Sequence, residues 1–484
     1  MMTEMKKLFG TDGMRGEAGR FPLDAAAVRA AGRSLARHLA ERLGRAPRVV
    51  AGRDTRESGG WIEAAFLAGA RAAGARVESA GVVTTPGVAY LARTLPADAG
   101  VVISASHNPY RDNGIKIFAP SGRKLDDATE RRIEADIYAE TARASEVAPA
   151  GVAEGGERGP EIDGRGGRQR PELDEGGGAR DAEGAARLRA LYLDYLAEEV
   201  GAGLRLDGLS IVADCANGAA SELAPALLSR LGARVVALHD APDGRNINLD
   251  CGSLHLDDLR RRVSAEGAHL GVAFDGDADR ALFVDSRADV VDGDATLWVL
   301  AKRMQERGAL EGDRVVATVM SNLGLELALR SRGVELVRAD VGDKYVLEEL
   351  LRTGASLGGE QSGHIIFPRL SLAGDGMLTT LNLLRAVRES GRALHELTAG
   401  FTRLPQVLTN VRVREKLPFE EVGEVENCVR ETERALGDRG RLLLRYSGTE
   451  PLARVMIEGQ RQDEIERLAE NLASVIRRNL GAGK

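Results

Sequence analysis

The chain has 484 residues, too many for one core, with 43% hydrophobic residues and a formal net charge of -7, so several globular domains are expected and general nucleic-acid binding is not. Its three cysteines, Cys215, Cys251 and Cys428, are far apart without metal-ligand spacing, which points to reduced thiols in a cytoplasmic protein. The polar N-terminus is no signal peptide, and no run of about 18 apolar residues is present to span a membrane.

Three segments share one pattern. Arg48-Val49-Val50-Ala51 reads as a strand entering the turn Gly52-Arg53-Asp54, with a helix over 61–73 and a strand from Gly74. Ile211-Val212-Ala213 leads into Asp214, Asn217 and Gly218, then a helix over 222–231 and a strand from Gly232. Arg314-Val315-Val316-Ala317 leads into Ser321 and Asn322, a helix to about 331 and a strand from Gly333. Strand, turn, amphipathic helix, glycine stop and strand is the βαβ pattern of parallel sheets covered by helices.

The tail is different, with a strand at 411–413, a helix over 419–436, strands at 441–446 and 452–458, and a last helix over 463–479. The fold class expected is α/β: three related α/β domains with mainly parallel mixed sheets, plus a C-terminal α+β domain. The boundaries expected are 1–143, 185–290, 291–402 and 403–484. Between the first two, residues 144–184 are rich in glycine, arginine and glutamate and include Gly176-Gly177-Gly178; this composition predicts a flexible insertion.

Four segments carry chemistry. In Gly100 to Phe118 an apolar strand ends in Ser-Ala-Ser-His-Asn-Pro, which sets Ser106 beside His107 with Lys116 following. A serine hydroxyl needs a base or a cation to become a nucleophile. Neighbours on a strand point to opposite faces, so His107 is not thereby the base. In Leu270 to Arg280 an apolar strand runs into Asp275, Asp277, Asp279 and Arg280.

Fully extended, Asp275 and Asp279 would lie about 13 Å apart, whereas magnesium holds its oxygens at about 2.0–2.1 Å, so the loop must curl. A calcium loop would need glycine sixth and glutamate twelfth; Arg280 and Ser286 stand there. A phosphatase with Asp275 as nucleophile fits the acidic loop but gives Ser106 no role.

Gly359-Glu360-Gln361-Ser362-Gly363-His364 offers a carboxylate and a hydroxyl suited to sugar hydroxyls and an imidazole suited to proton transfer. Arg445-Tyr446-Ser447-Gly448-Thr449-Glu450-Pro451, with Arg454, offers turn amides, hydroxyls and guanidinium groups that could cradle an anion. No Walker loop, dinucleotide-binding glycine fingerprint or Ser-His-Asp order is present.

Together with Phe9-Gly10-Thr11-Asp12-Gly13-Met14-Arg15-Gly16, these segments resemble, in order and over nearly the whole chain, the α-D-phosphohexomutases. The resemblance implies four domains around a central cleft. It implies that Ser106 is a phosphoserine, and that Asp275, Asp277, Asp279 and the Ser106 phosphate bind one Mg²⁺ per chain. Arg15, Lys116 and Arg280 would support transfer, with His107 and His364 as further catalytic candidates. Glu360 and Ser362 would hold the sugar, and Arg445, Ser447, Gly448, Thr449 and Arg454 the phosphate that does not react.

Gln361 favours the glucosamine branch, which implies interconversion of glucosamine 6-phosphate and glucosamine 1-phosphate with glucosamine 1,6-bisphosphate as the activating intermediate. That reaction feeds UDP-N-acetylglucosamine and cell-wall precursor synthesis. The alternative is the phosphomannomutase/phosphoglucomutase branch. The partner implied is a phosphosugar, with a homodimer and neither nucleic acid nor membrane.

The chain departs from the branch at Tyr446, which replaces a usual proline and is expected to loosen the tail loop. It departs also in the long 144–184 insertion, and at Lys344, which replaces a usual arginine.

Overall fold

The computed structural model describes residues 7–10, 12–147, 175–447 and 450–482. The described chain forms two compact units, one of residues 1–290 with 364–394 and one of residues 291–363 with 395–484.

The first unit holds two sheets. Strands β1 (Phe9–Gly10), β2 (Gly13–Glu17), β3 (Arg48–Arg53), β4 (Arg76–Val82), β5 (Ala99–Ile103) and β6 (Asp112–Phe118) lie in the order β1-β2-β6-β5-β3-β4. β3 runs parallel to β4 and β5, while β6 is antiparallel to β5 and β2. All five residues of β5 are buried. That is the mark of a central strand covered on both faces, and it gives the reactive turn behind β5 a rigid base.

Helices Ala25–Leu43 and Gly59–Ala72 meet through glycine. A β-carbon on Gly32 would stand 2.0 Å from the Phe66 carbonyl, and one on Gly69 2.0 Å from that of Arg29. Leu35, Phe66, Ile62 and Ile115 fill the core beneath them.

In the second sheet β7 (Ser210–Asp214) is parallel to β8 (Arg234–Leu238) and β9 (Leu270–Phe274), and β10 (Ala281–Asp285) returns antiparallel to β9. β9 is buried throughout. β11 (Val290–Val291) stands where the chain leaves this unit.

The chain re-enters at His364 with β15 (Ile365–Ile366) and helix Gly376–Ser390. Although the sequence groups this stretch with 291–402, it packs with the first unit. Tyr192 donates to Asp375 Oδ2 at 2.7 Å, Tyr195 to the Leu370 carbonyl at 2.9 Å, and Gly376 N–H to the Ala278 carbonyl at 3.0 Å.

In the second unit β12 (Arg314–Thr318) is parallel to β13 (Glu335–Ala339) and to β14 (Gly358–Gly359). The tail sheet is antiparallel, with β18 (Leu452–Gly459) between β16 (Gln406–Arg412) and β17 (Gly440–Tyr446). Helices Gly423–Leu436 and Gln462–Leu480 pack on it through Val425, Ile465, Leu472 and Ile476. The expected strand-helix-strand-strand-helix order is present, with β16 starting five residues before 411.

Helix Asp127–Val147 covers the start of the 144–184 segment, and helix Glu175–Asp194 its last ten residues. Those ends are helical where flexible chain was expected, because the apolar residues Leu188 and Tyr192 anchor the second helix in the first unit's interior; residues 148–174 lie outside the described residues. All three cysteines are buried and free, and no described helix is long and apolar enough to cross a membrane.

Candidate active site

β5 ends at Ile103, so Ser106 and His107 lie in a turn and not on a strand. Ser106 has a positive φ of 53°, a conformation that costs energy for a residue with a β-carbon and persists only when neighbours hold it. The turn brings the His107 Nδ1 to 3.3 Å from the Ser106 Oγ, so the opposite-faces argument drawn from strand geometry does not apply. Burial, reinforced by Arg280 and Arg15, brings the His107 pKa down to about 4, leaving a neutral imidazole at neutral pH.

The Ser106 hydroxyl is 1% exposed and donates to Asp275 Oδ2 at 2.5 Å, although 169 residues separate the two. Asp275 follows β9 directly, and the loop curls as metal binding requires. Ala278 takes a φ of 56° and its N–H donates to the Asp275 carbonyl at 3.0 Å. One oxygen each from Asp275, Asp277 and Asp279 then lie within 4.8 Å of one another. Gly276 allows the approach to the serine turn, since a β-carbon there would stand 2.6 Å from the Ser106 carbonyl oxygen.

Burial, with Asp279 and Asp277 close by, pushes Asp275 well above the usual carboxylate range. Burial opposes ionisation of Asp279 too, but Lys116, His364 and Arg280 outweigh it and hold Asp279 far below that range. Asp277 Oδ1 and Asp279 Oδ1 are buried and accept no hydrogen bond. Three convergent carboxylates, two of them with an unsatisfied oxygen, suit a hard divalent cation.

Lys116 lies 1% exposed in the same cluster, its Nζ 2.9 Å from Asp277, 3.4 Å from Asp279 and 3.1 Å from Asp12. Burial works against its charge, yet these three carboxylates raise its pKa well above the ordinary value. Asp12 also pairs with Lys124 at 2.6 Å and with Arg15. Burial alone would raise Asp12; Lys116, Lys124 and Arg15 hold it well below the carboxylate range.

Arg280 lies beside Asp279, at 3.8 Å. His364 is buried, accepts from Gly374 N–H on Nε2 at 3.2 Å, and turns Nδ1 toward Asp279 Oδ1 at 3.7 Å. The imidazole expected to transfer protons thus sits against an acid of the cluster. In the first unit the structure thus unites Ser106, His107, Lys116, Arg15, Arg280, His364 and the three aspartates.

The remaining predicted residues belong to the second unit. Glu360 accepts from Gly342 N–H at 3.2 Å and from the Ser362 hydroxyl at 3.3 Å. Arg445 and Arg454 stand opposite each other in the β17–β18 register, and Arg454 reaches the Ser447 Oγ at 3.4 Å. Burial, then Arg454, lowers the Arg445 pKa. Two facing guanidinium groups are an arrangement that an anion would relieve. Gly448 and Thr449 lie outside the described residues. The expected loosening concerns a turn that lies partly outside the described residues; Tyr446 itself is anchored, its ring stacked on Phe419 at 4.2 Å and its hydroxyl donating to the Leu417 carbonyl at 2.6 Å.

The motifs did not single out Asp12, Thr85, Arg56 or Asn248. Thr85 donates to Asp277 Oδ2 at 2.6 Å, and Arg56 and Asn248 bond the serine turn. Asp12 stood inside the Phe9–Gly16 segment; Arg56 stood in the charged run after β3.

A hydroxyl seated in a buried carboxylate cluster, with lysine and arginine around it, is an arrangement on an α/β scaffold that suits phosphoryl transfer. The chain belongs to the phosphoglucomutase/phosphomannomutase family. Models of that family's alpha/beta/alpha domains I, II and III match residues 6–144, 190–288 and 292–404, and the model of its C-terminal domain matches 408–475. The chain is 48% identical to the phosphoglucosamine mutase of Solibacter usitatus over 476 residues, 98% of this chain and 99% of that protein. It is also 48% identical to the phosphoglucosamine mutase of Mycobacterium ulcerans over 473 residues, again 98% and 99%.

Among solved structures, a phosphoglucomutase/phosphomannomutase family protein from Burkholderia thailandensis superposes with a TM-score of 0.75 at 24% identity, covering 98% of this chain and 97% of that one. Aspergillus fumigatus N-acetylphosphoglucosamine mutase, solved in complex with GlcNAc-6P and magnesium, gives 0.62 at 18% identity, covering 98% and 96%. These two likenesses show a shared fold.

Proposed function

We propose that the chain is an intramolecular phosphotransferase that interconverts glucosamine 6-phosphate and glucosamine 1-phosphate, supplying UDP-N-acetylglucosamine and cell-wall precursor synthesis. Relatives 48% identical over nearly their whole length carry the name phosphoglucosamine mutase. The observation that carries the chemistry is the Ser106 Oγ hydrogen-bonded to Asp275 inside the acidic cluster.

In this reading Ser106 carries a phosphoryl group. The P–Oγ bond breaks as a sugar hydroxyl oxygen bonds to phosphorus, giving glucosamine 1,6-bisphosphate. In the second half, Ser106 Oγ attacks the other phosphate and releases the isomeric monophosphate. In each half the attacking hydroxyl loses a proton and the departing oxygen takes one up, Ser106 Oγ in the first half and the sugar oxygen in the second. The His107 Nδ1, neutral and 3.3 Å away, can accept the serine proton in the second half.

Lys116, Arg15 and Arg280 place positive charge around the transferring group, which phosphoryl transfer needs more than covalent help. Asp275, Asp277 and Asp279 would hold Mg²⁺, which neutralises charge on the transferring phosphate when bound. In the second unit Glu360 and Ser362 present oxygens for sugar hydroxyls, and Arg445, Ser447 and Arg454 donors for a phosphate. The Aspergillus fumigatus enzyme solved with GlcNAc-6P and magnesium binds ligands of the same two kinds.

The test is ³¹P NMR of glucosamine 6-phosphate with Mg²⁺ and catalytic bisphosphate, run beside mannose and glucose 6-phosphates. Appearance of glucosamine 1-phosphate, absent with Ser106→Ala, is expected. Preferred turnover of mannose or glucose phosphate would move the chain to the other branch of the family. A phosphoenzyme cleaved by hydroxylamine would transfer the nucleophile's role from Ser106 to an aspartate.

A further inference from the structure

The turn that carries Ser106 hangs on a side chain that touches nothing reactive. Arg56 follows β3, and its side chain is fully buried beside an equally buried Asp54. An arginine has five N–H donors, and all five of these are used. Nε donates to Asp54 Oδ2 at 2.9 Å. Nη1 donates to the carbonyls of Pro109 and, at 2.9 Å, Asp112. Nη2 donates to those of Ser106 at 2.9 Å and Asn108 at 2.8 Å.

Asp54 completes the other half of the brace. Its Oδ2 accepts from the Ser104 hydroxyl at 2.6 Å, and that hydroxyl accepts the Ser106 N–H at 2.9 Å. Both polar groups of the Ser106 backbone therefore lead to one ion pair. From the second sheet's side, Asn248 Nδ2 donates to the same two carbonyls, Ser106 at 2.9 Å and Asn108 at 3.2 Å. The residue held in this way has a left-handed φ of 53°, which has to be over-determined by its surroundings to persist.

We infer that Arg56 is a positioning residue for phosphoryl transfer: by tying down the Ser106 and Asn108 carbonyls it fixes the left-handed turn that aims the Ser106 Oγ at Asp275. The inference rests on the reading of Ser106 as the group that carries phosphate. Arg56 donates only to Asp54 and to backbone carbonyls, so it contributes neither a proton nor a charge to the reaction. Its loss acts on the aim of one oxygen, and sugar binding is left to other residues. A lysine in its place keeps a charge for Asp54 but presents three donors from one point, which cannot serve five acceptors in a plane.

The experiment compares wild type, Arg56→Lys, Arg56→Ala and Asn248→Ala in the full chain. Its readouts are kcat, KM for the sugar phosphate, thermal midpoint, and the rate of phosphate incorporation from the bisphosphate by intact mass. Arg56→Lys is expected to lose about 100-fold in kcat, as misplacing a reacting atom by about 1 Å does. Its KM is expected to stay within about twofold, because binding is not what is lost. Phosphate incorporation falls in parallel, and millimolar guanidinium ion restores part of the turnover of Arg56→Ala.

A folded Arg56→Lys with wild-type kcat overturns the inference. So does a parallel loss of kcat, substrate affinity and thermal midpoint with no guanidinium rescue, the mark of a merely structural residue. Should the arginine variants fail to fold, Asn248→Ala decides: a kcat lowered about tenfold at unchanged KM supports the brace, and an unchanged kcat overturns it. Wild-type protein that turns over without phosphate on Ser106 sinks the phosphoserine reading instead, which separates the two failures.

Discussion

Lys116 and Asp277 form a buried ion pair, Nζ to Oδ2 at 2.9 Å, whose carboxylate also accepts from Thr85 at 2.6 Å. The same ammonium serves Asp279 and Asp12, so one buried cation is shared by three acids, with Arg280 beside Asp279 and Lys124 and Arg15 beside the half-buried Asp12. Removing one partner of such a set leaves charge buried and uncompensated, which costs about 3–5 kcal/mol. Lys116→Met is therefore expected to lower the thermal midpoint and abolish turnover. Mg²⁺ should raise that midpoint more in the variant than in wild type, because it would replace part of the missing charge. A variant that melts like wild type with and without Mg²⁺ would show that the lysine does not balance the cluster.

The acidic loop itself predicts a metal response. A cation held at about 100 times its dissociation constant stabilises the folded protein by about 2.7 kcal/mol. Mg²⁺ is expected to shift the wild-type midpoint upward and a chelator to reverse the shift and stop turnover. Asp277→Asn keeps the side chain's shape but removes a charged ligand. Its Mg²⁺ affinity should drop by more than the 10–100-fold typical of outer-shell partners. Equal Mg²⁺ titration curves for variant and wild type would remove Asp277 from the ligand set.

Asp375 supplies a pH signature remote from the metal ligands in sequence. Burial pushes its pKa up to about 6, even though Leu378 N–H and Tyr192 donate to it. Raised above its unfolded value, this carboxyl binds a proton in the folded state that the unfolded chain has already released. Its ionisation therefore costs nothing below about pH 4 and lowers stability progressively between about pH 4 and 6. Asp375→Asn keeps the N-cap of helix Gly376–Ser390, since asparagine caps as well as aspartate. It should be more stable than wild type at pH 7–8 by on the order of 2–3 kcal/mol, with the gap closing toward pH 4. Denaturant midpoints that run parallel across that range would contradict the assignment.

The paired guanidinium groups of the tail predict opposite effects on binding and stability. Arg454→Ala is expected to raise KM for the sugar phosphate by about 10–100-fold with kcat changed only a few-fold, the pattern of lost uniform binding. Because it also removes the Arg445–Arg454 opposition, the ligand-free variant should melt no earlier than wild type. A normal KM in Arg454→Ala would take the phosphate away from this turn.

How much of this was legible beforehand depends on how far apart the interacting residues are. Each βαβ unit is local, and all three appear with parallel strands where the alternation of apolar runs and glycine stops put them. Ser106 and the aspartates carry their chemistry in side chains at the ends of buried strands, a placement the apolar runs announce. The brace on Ser106 is different. Arg56 and Asn248 act on backbone carbonyls 50 and 142 residues away, and a main-chain acceptor has no residue type to leave in a pattern. The turn's left-handed serine was equally hidden, because reading Ser106 and His107 as strand neighbours pointed their side chains apart.

Glu458 and Arg441 provide a test of whether the tail sheet and the preceding α/β domain act as one body within the second unit. Glu458 is fully buried on β18; its Oε2 accepts from Arg441 at 2.6 Å and from Leu323 N–H at 3.2 Å, and its Oε1 accepts from Asn322 Nδ2 at 3.1 Å. Asn322 in turn caps helix Leu323–Arg330 and bonds both backbone groups of Leu404, so the carboxylate sits where both parts meet. Burial raises its pKa despite Arg441, a sign that the ion is held at a cost and depends on its partners. Either Glu458→Ala or Arg441→Met alone should destabilise the protein by about 3–5 kcal/mol, since each strands the other's charge. The double variant should cost less than the sum, by about 0.5–3 kcal/mol of coupling. Denaturant unfolding of the four proteins reads this directly; strictly additive losses would mean that the two charges do not act as a pair and that the joint is held by packing alone.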